Sequence, residues 1–251
     1  MLNSLILADR DVLTGRFTSD TLAAFDHMWT LQVTSGEQRG SWAWLNFGNE
    51  PFEAGDSRYY GAALAALAVS MAPESYRDRP DVQDHLRLLR EYIRRECERQ
   101  PLIHQMVALW ASVKLPDLLT AEEKRLIIAA VINEQQSDGG WSLSTLGWTW
   151  RGQNAHSLVN LWVRSNDSPW SRKSDGYATG LIVLVLCQTD TGGRDRSLQL
   201  GRQWLLSHQN KVEGFWPGYS LVNRRDPASG TGRFMADAAT AYAVLALTQP
   251  R

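Results

Sequence analysis

The chain has 251 residues, with 26 Lys and Arg against 27 Asp and Glu and a formal net charge of −1. It therefore lacks the basic field that holds a nucleic-acid backbone, and nucleic acid is excluded as a partner. Its two cysteines, Cys97 and Cys187, lie inside apolar helical patterns and read as buried thiols, giving neither a disulfide framework nor a thiolate metal site; no metal and no cofactor is called for. No apolar run approaches the ~20 residues that span a bilayer, and charged Asp9, Arg10 and Asp11 stand where a signal peptide needs its cleavage region. The expectation is a soluble chain, cytoplasmic or peripheral to a membrane, forming one domain over residues 1–251.

Apolar residues at three-and-four spacing predict helices in chain order. Leu2–Leu13 reads as a buried, inner helix without an outer partner. Ser19–Gln32 is amphipathic, with Ser19-Asp20 as its cap. Tyr59–Ser70 is apolar nearly all round. Pro80–Arg99 carries Leu86, Leu89, Tyr92 and Ile93 on one stripe, and Leu102–Val113 is again apolar throughout. Thr120 and Glu123 have capping-box spacing before Leu126-Ile127-Ile128. After a long connection over 142–173, which holds Trp148, Trp150, Trp162 and Trp170, come apolar Gly176–Gln188, amphipathic Arg196–Gln209 and apolar Ala236–Thr248. A helix without a polar face has to be covered on all sides, so apolar inner helices alternate with amphipathic outer ones. The fold class is all-α, with four hairpins plus the N-terminal inner helix.

A phrase recurs between outer and inner helices: Gln136-Ser-Asp-Gly139-Gly140-Trp141, Gln209 through Gly214 to Trp216, and a looser copy from Gln32 through Gly40 and Ser41 to Trp42. The inner helices align without gaps at Gly61, Gly180 and Ala241, small residues that permit close helix approach. In that register Asp56 and Asp175 coincide, and Asp237 falls one residue later. Such units bury their apolar faces only against their neighbours.

Gln-x(2–4)-Gly-x-Trp before an apolar helix resembles the QW repeat of the squalene-hopene and oxidosqualene cyclases, over about Ser19 to Leu247. The resemblance implies an α/α toroid of the terpenoid-cyclase type, incomplete here, with an isoprenoid as its hydrophobic ligand. It also implies that Gln136, Trp141, Gln209 and Trp216 are structural, tying helix ends. In the class II cyclases a protonated Asp of a DxDD motif starts cyclisation and aromatic rings stabilise the cations. This chain has no DxDD; the nearest string, Asp9-Arg10-Asp11, reads as a solvated helix end. The zinc set of the prenyltransferases and the DDxxD string are absent as well.

Candidate catalytic residues are Asp175, Asp56 and Asp237 at or near inner-helix starts, with His104 to orient an acid. Each carboxylate has two readings, a helix cap favoured by the dipole or a desolvated general acid. Asp175 leads, because Tyr177 follows it and the Trp-rich connection precedes it. Tyr59, Tyr60, Trp110, Trp148, Trp150, Tyr177 and Tyr242 are candidate substrate-binding aromatics, or core packing. A class II isoprenoid cyclase therefore stands beside a non-catalytic repeat scaffold or lipid-binding domain. A carbohydrate-active toroid is a third reading, carried by Asp56-Ser-Arg58 and Arg224-Arg225-Asp226. The apolar flank at Leu5, Ile6 and Leu7 predicts self-association or a ring-closing partner segment.

Overall fold

The structure, a computed structural model, describes residues 1–147, 173–189, 196–221 and 226–249. Trp148, Trp150, Trp162, Trp170, Arg224 and Arg225 lie outside the described residues. The described chain is all-helical: α1 (Leu2–Thr14), α2 (Ser19–Thr30), α3 (Arg58–Ser70), α4 (Glu74–Arg77), α5 (Pro80–Glu96), α6 (Leu102–Ser112), α7 (Ala121–Asn133), α8 (Leu143–Leu146), α9 (Gly176–Gln188), α10 (Arg196–His208) and α11 (Gly230–Thr248). No strand occurs among the described residues; a single isolated bridge joins Asn49 and Glu53. Every helix expected from the apolar periodicity is present, and α4 and α8 are one-turn additions.

Two starts differ from the sequence reading. Helix α2 is capped by Thr18, not by Ser19-Asp20, because the Thr18 side chain accepts the Thr21 N–H. Helix α11 begins six residues before Ala236, where the Ser229 hydroxyl accepts Gly232 N–H at 3.1 Å and caps it. Its opening Gly-Thr-Gly run gives no apolar periodicity to read. The Thr120–Glu123 box is formed in both directions: Glu123 Oε2 accepts the Thr120 N–H at 2.6 Å and Thr120 Oγ1 accepts the Glu123 N–H at 3.1 Å.

The chain divides into two compact units, Met1–Gln100 with Val107–Lys124, and Pro101–Met106 with Arg125–Arg251. In the first, α1 packs on α2 and α3, and α3 on α5. Helix α3 is buried from Gly61 to Ser70, whereas α5 buries only Val82, Leu86, Leu88, Leu89, Tyr92 and Ile93 and leaves its charged face wet. In the second unit α9 packs on α10 and α11. Helix α9 is buried almost throughout, and α10 buries Leu198, Gly201, Trp204 and Leu205.

The first and last helices depart from the expectation that an inner helix is covered all round: α1 buries only Ser4, Ala8 and Asp11 and leaves Leu2, Ile6, Val12 and Leu13 exposed. Only Gly232, Ala239, Ala243 and Ala246 of α11 are buried, all on the side toward α9, while Phe234, Val244 and Leu245 are exposed. Apolar character shows what a surface can bury, not that a neighbour is present to bury it.

Candidate functional site

Three loops share one bonding scheme. Gln32 Nε2 donates to the Gly40 and His85 carbonyls at 3.3 and 3.1 Å, and Gln135 Nε2 to the Gly139 and Ser197 carbonyls, both at 2.8 Å. Gln209 Nε2 donates to the Gly214 carbonyl at 2.8 Å. The buried indoles of Trp42, Trp141 and Trp216 donate Nε1–H to the carbonyls of Met28, Val131 and Leu205 at 2.7, 2.7 and 2.8 Å. Each of those carbonyls lies four residues before its Gln, in the last turn of a helix, where the regular i+4 donor runs out; Met28 and Val131 also accept the Leu31 and Glu134 N–H groups at 3.2 and 3.1 Å.

This register corrects one assignment. The repeat residue in the second copy is Gln135, not Gln136, whose side chain only reaches back to the Glu134 carbonyl. Gly40, Gly139 and Gly214, each two residues before the Trp, have φ of +94°, +91° and +81°, a backbone conformation that favours glycine. At Gly40 a Cβ would lie 2.0 Å from the Leu88 carbonyl oxygen, so bulk is excluded as well.

The scheme reaches into the buried helices. Trp141 N–H and Trp216 N–H donate to Thr179 Oγ1 and Thr240 Oγ1 at 2.9 and 3.0 Å. Thr179 and Thr240 precede Gly180 and Ala241, which supports the gap-free alignment of α9 with α11. In the first copy Arg58 donates to the Trp42 carbonyl at 3.0 Å.

Asp175 is the buried N-cap of α9. Its Oδ1 accepts Ala178 N–H at 2.8 Å and its Oδ2 accepts Leu143 N–H at 2.6 Å, so one carboxylate ties the start of α9 to the loop after Trp141. Burial pushes its pKa up to about 6, against the pull of the Ala178, Leu143 and Tyr177 backbone hydrogen bonds. Both the capping and the desolvation features thus meet in one residue. Its register partner Asp56 is exposed, and Ser57 is the residue that precedes α3 as its cap. Asp237 is exposed inside α11.

Sequence reasoning passed over a second carboxylate, Asp138. Its Oδ1 accepts Ser174 Oγ–H at 2.7 Å and Gly140 N–H at 3.0 Å, and its Oδ2 accepts the Trp204 indole at 3.0 Å. Trp204 stacks on His208 with ring centroids 4.3 Å apart. Burial raises the Asp138 pKa, but the hydrogen bonds from Ser174, Gly140 and Trp204 and the nearby His208 outweigh it, and the net shift is downward. The available signal was its place two residues after Gln136, inside the recurring turn. Asp138, bonded to Ser174, and Asp175, the next residue in the chain, are thus pushed in opposite directions.

The aromatic candidates divide by neighbourhood. Tyr177 and Tyr242 meet edge to face at 5.0 Å, and burial raises the Tyr242 pKa while a hydrogen bond with Tyr177 opposes the rise. Tyr60 sits with Trp44 and Phe52 at 5.9 and 5.1 Å, and Trp44 covers Gly61, where a Cβ would lie 2.4 Å from its ring. Tyr59 is fully buried toward α5 and the 3-10 turn Cys97–Arg99: its ring lies 6.3 Å from Tyr92 and its hydroxyl faces the Cys97 thiol without a well-formed hydrogen bond. Burial pushes the Cys97 thiol up to about 11, which keeps it protonated. His104 is buried in α6 and Trp110 is half-buried there.

Asp11 corrects the reading of Asp9-Arg10-Asp11 as a solvated end. It is buried, and it accepts Thr21 Oγ1–H and Thr18 N–H, both at 2.6 Å, Thr18 Oγ1–H at 2.9 Å and Arg10 Nε–H at 2.9 Å. Burial alone would raise its pKa; these donors hold it well below the usual carboxylate range.

Among the described residues no three His, Cys, Asp or Glu side chains gather as a metal site, and no helix is long and apolar enough to cross a membrane. No protein-family model matches the chain.

Proposed function

We propose that this chain is a terpenoid-cyclase-type α/α toroid domain, with the buried helices inside and the amphipathic ones outside, that handles isoprenoid chains. The observation that carries the reading is the threefold Gln–Gly–Trp tie, made with the same donors and acceptors at three helix ends. Asp175 supports a proton-initiated step. It is a buried carboxyl at an inner-helix start, its pKa is raised by burial, and Tyr177 two residues on meets Tyr242 of α11 edge to face. A bound apolar chain excludes more water and raises that pKa further. Protonation of a terminal alkene carbon leaves a cation at its partner carbon, the next double bond closes a ring onto it, and loss of a proton to water ends the sequence as an isomerisation. Aromatic rings stabilise the intermediate cations.

A non-catalytic scaffold or lipid-binding domain is the second reading. It is favoured by a specific observation: both Asp175 oxygens already accept backbone N–H groups, which is the work of a cap.

Incubation of the folded chain with geranylgeranyl-length and squalene-length polyenes, followed by mass spectrometry of the extract, separates the two. Cyclised isomers from the wild type that disappear in folded Asp175→Asn support the catalytic reading. Binding of the polyene without conversion leaves the lipid-binding domain, and neither binding nor conversion overturns the isoprenoid assignment.

A further inference from the structure

Arg90 stands apart from the other charged side chains of α5. Arg87 pairs with Glu91 at 3.1 Å and Arg95 with Glu96 at 2.9 Å, and Arg79, just before the helix, pairs with Asp81 at 2.6 Å. Arg90 is half-buried, yet among the described residues it makes no hydrogen bond and no ion pair, and its Nε has no contact with solvent. A guanidinium stays charged at any ordinary pH, and a buried N–H on it without an acceptor is costly.

The turn after α6 brings two further guanidiniums to the same place. Arg77 at the end of α4 donates from Nη1 to the Lys114 carbonyl at 2.6 Å, and Arg94, one helical turn beyond Arg90, donates from Nη2 to the Asp117 carbonyl. All of these residues belong to the first compact unit. Their charges act on Arg90: burial is the largest influence lowering its pKa, Asp117 raises it, and Arg94 and Arg77 lower it further. Among the described residues Asp117 forms no ion pair with any of the three, and the one carboxylate that does, Glu74, lies 3.8 Å from Arg77 and is 87% exposed. Lys114 is exposed on the same turn. Positive charge is therefore in excess there, with backbone carbonyls holding Arg77 and Arg94 in place.

We propose that Arg77, Arg90 and Arg94 bind a phosphate-type oxyanion beside the Lys114–Asp117 turn, as a free phosphate compound or as a lipid headgroup. A planar guanidinium presents paired N–H donors that match two oxygens of a tetrahedral anion, and Arg77 and Arg94 each keep N–H groups beyond the one given to a carbonyl. Arg94 is exposed, whereas Arg77 is 14% exposed and Arg90 half-buried, so the anion meets one accessible cation and two partly desolvated ones. It supplies the acceptor that Arg90 lacks, a rotation of that side chain presenting Nε and one Nη side-on, and it offsets the mutual repulsion of the three cations. Packing alone gives no reason to set an unpaired cation beside two others, since an uncharged side chain of similar length fills the space without the repulsion. The inference is independent of any isoprenoid chemistry.

Isothermal titration calorimetry with inorganic phosphate, against chloride at matched ionic strength, tests it. The wild type is expected to bind phosphate saturably and to melt higher in its presence. Arg90→Gln is expected to weaken binding about tenfold or more, and Arg90→Lys by less, since a point charge remains without the fork. Neither substitution should lower the melting temperature in chloride, because the side chain they replace has no partner to lose. Arg87→Gln, on the same helix and already paired with Glu91, should leave the phosphate affinity within about twofold. Absence of saturable phosphate binding overturns the inference, as does equal binding by the wild type and Arg90→Gln, or an equal loss in Arg87→Gln. A clear fall in the melting temperature of both Arg90 variants in chloride overturns it too, because that makes the residue structural. Vesicles of phosphatidic acid in phosphatidylcholine separate the two sources: vesicle binding that free phosphate competes away marks a headgroup, and phosphate binding without vesicle binding marks a soluble phosphate compound.

Discussion

Replacing Gln135 and Gln136 by Ala in turn tests the repeat register at neighbouring residues of the same type. Gln135 loses two hydrogen bonds of 2.8 Å, one closing its own turn at Gly139 and one reaching the Ser197 carbonyl at the start of α10. Each such bond contributes about 0.5–1.5 kcal/mol net, so the variant should lose about 1–3 kcal/mol. The lower half of that range applies if water reaches the two freed carbonyls, since the side chain is half-buried. Gln136 loses one short-range bond to Glu134, and its removal should stay within about 0.5 kcal/mol. Urea unfolding with a shared slope reads the difference directly; by melting, a chain of this size shifts roughly 2–4 °C per kcal/mol. Equal losses at both positions, or a larger loss at Gln136, would refute the assignment of the tie to Gln135.

Trp141→Ala and Trp216→Ala should each cost about 3–5 kcal/mol, because a large buried ring is removed and the helix-end carbonyl of Val131 or Leu205 loses its indole donor; melting within a degree or two of the parent would contradict this. Asp175 gives a pH signature. Its folded pKa, about 6, stands above the ordinary 3.8, so its contribution is greatest below pH 3.8 and is lost as pH rises to about 6, by an amount on the order of 3 kcal/mol. Asp175→Asn should remove that dependence from urea unfolding curves measured from pH 3.5 to 7. The same variant should also lose about 1–3 kcal/mol at low pH, since one amide oxygen cannot serve both Ala178 N–H and Leu143 N–H. Asp11 has the opposite sign. Its lowered pKa means that its contribution is present above pH 3.8 and lost on acidification, so Asp11→Asn should destabilise the chain at pH 7 and show a smaller further loss at pH 3.

Helix existence was legible because three-and-four periodicity reports it directly. The capping box at Thr120 and Glu123 was legible because its partners are three residues apart. What escaped was set by contacts that local sequence does not carry. Two adjacent glutamines are indistinguishable until the helix end places Val131 four residues before one of them. Asp11 looked solvated because its donors, Thr18 and Thr21, arrive seven and ten residues later across a turn. Asp56 and Asp175 share a register but not an environment: Asp175 binds a loop segment at Leu143, and Asp56 faces solvent beside Ser57. Helix α11 read as covered because composition reports apolarity on every side, whereas coverage depends on the neighbour.

The isoprenoid reading meets its most direct test in what the protein carries. Organic extraction of the natively purified chain, with mass spectrometry of the extract, should yield a polyprenyl or triterpenoid hydrocarbon in stoichiometric proportion, and added polyene should raise the melting temperature of the stripped protein. A chain that carries no such lipid, and whose melting temperature polyenes of every length leave unmoved, would contradict the isoprenoid assignment and leave a helical repeat scaffold.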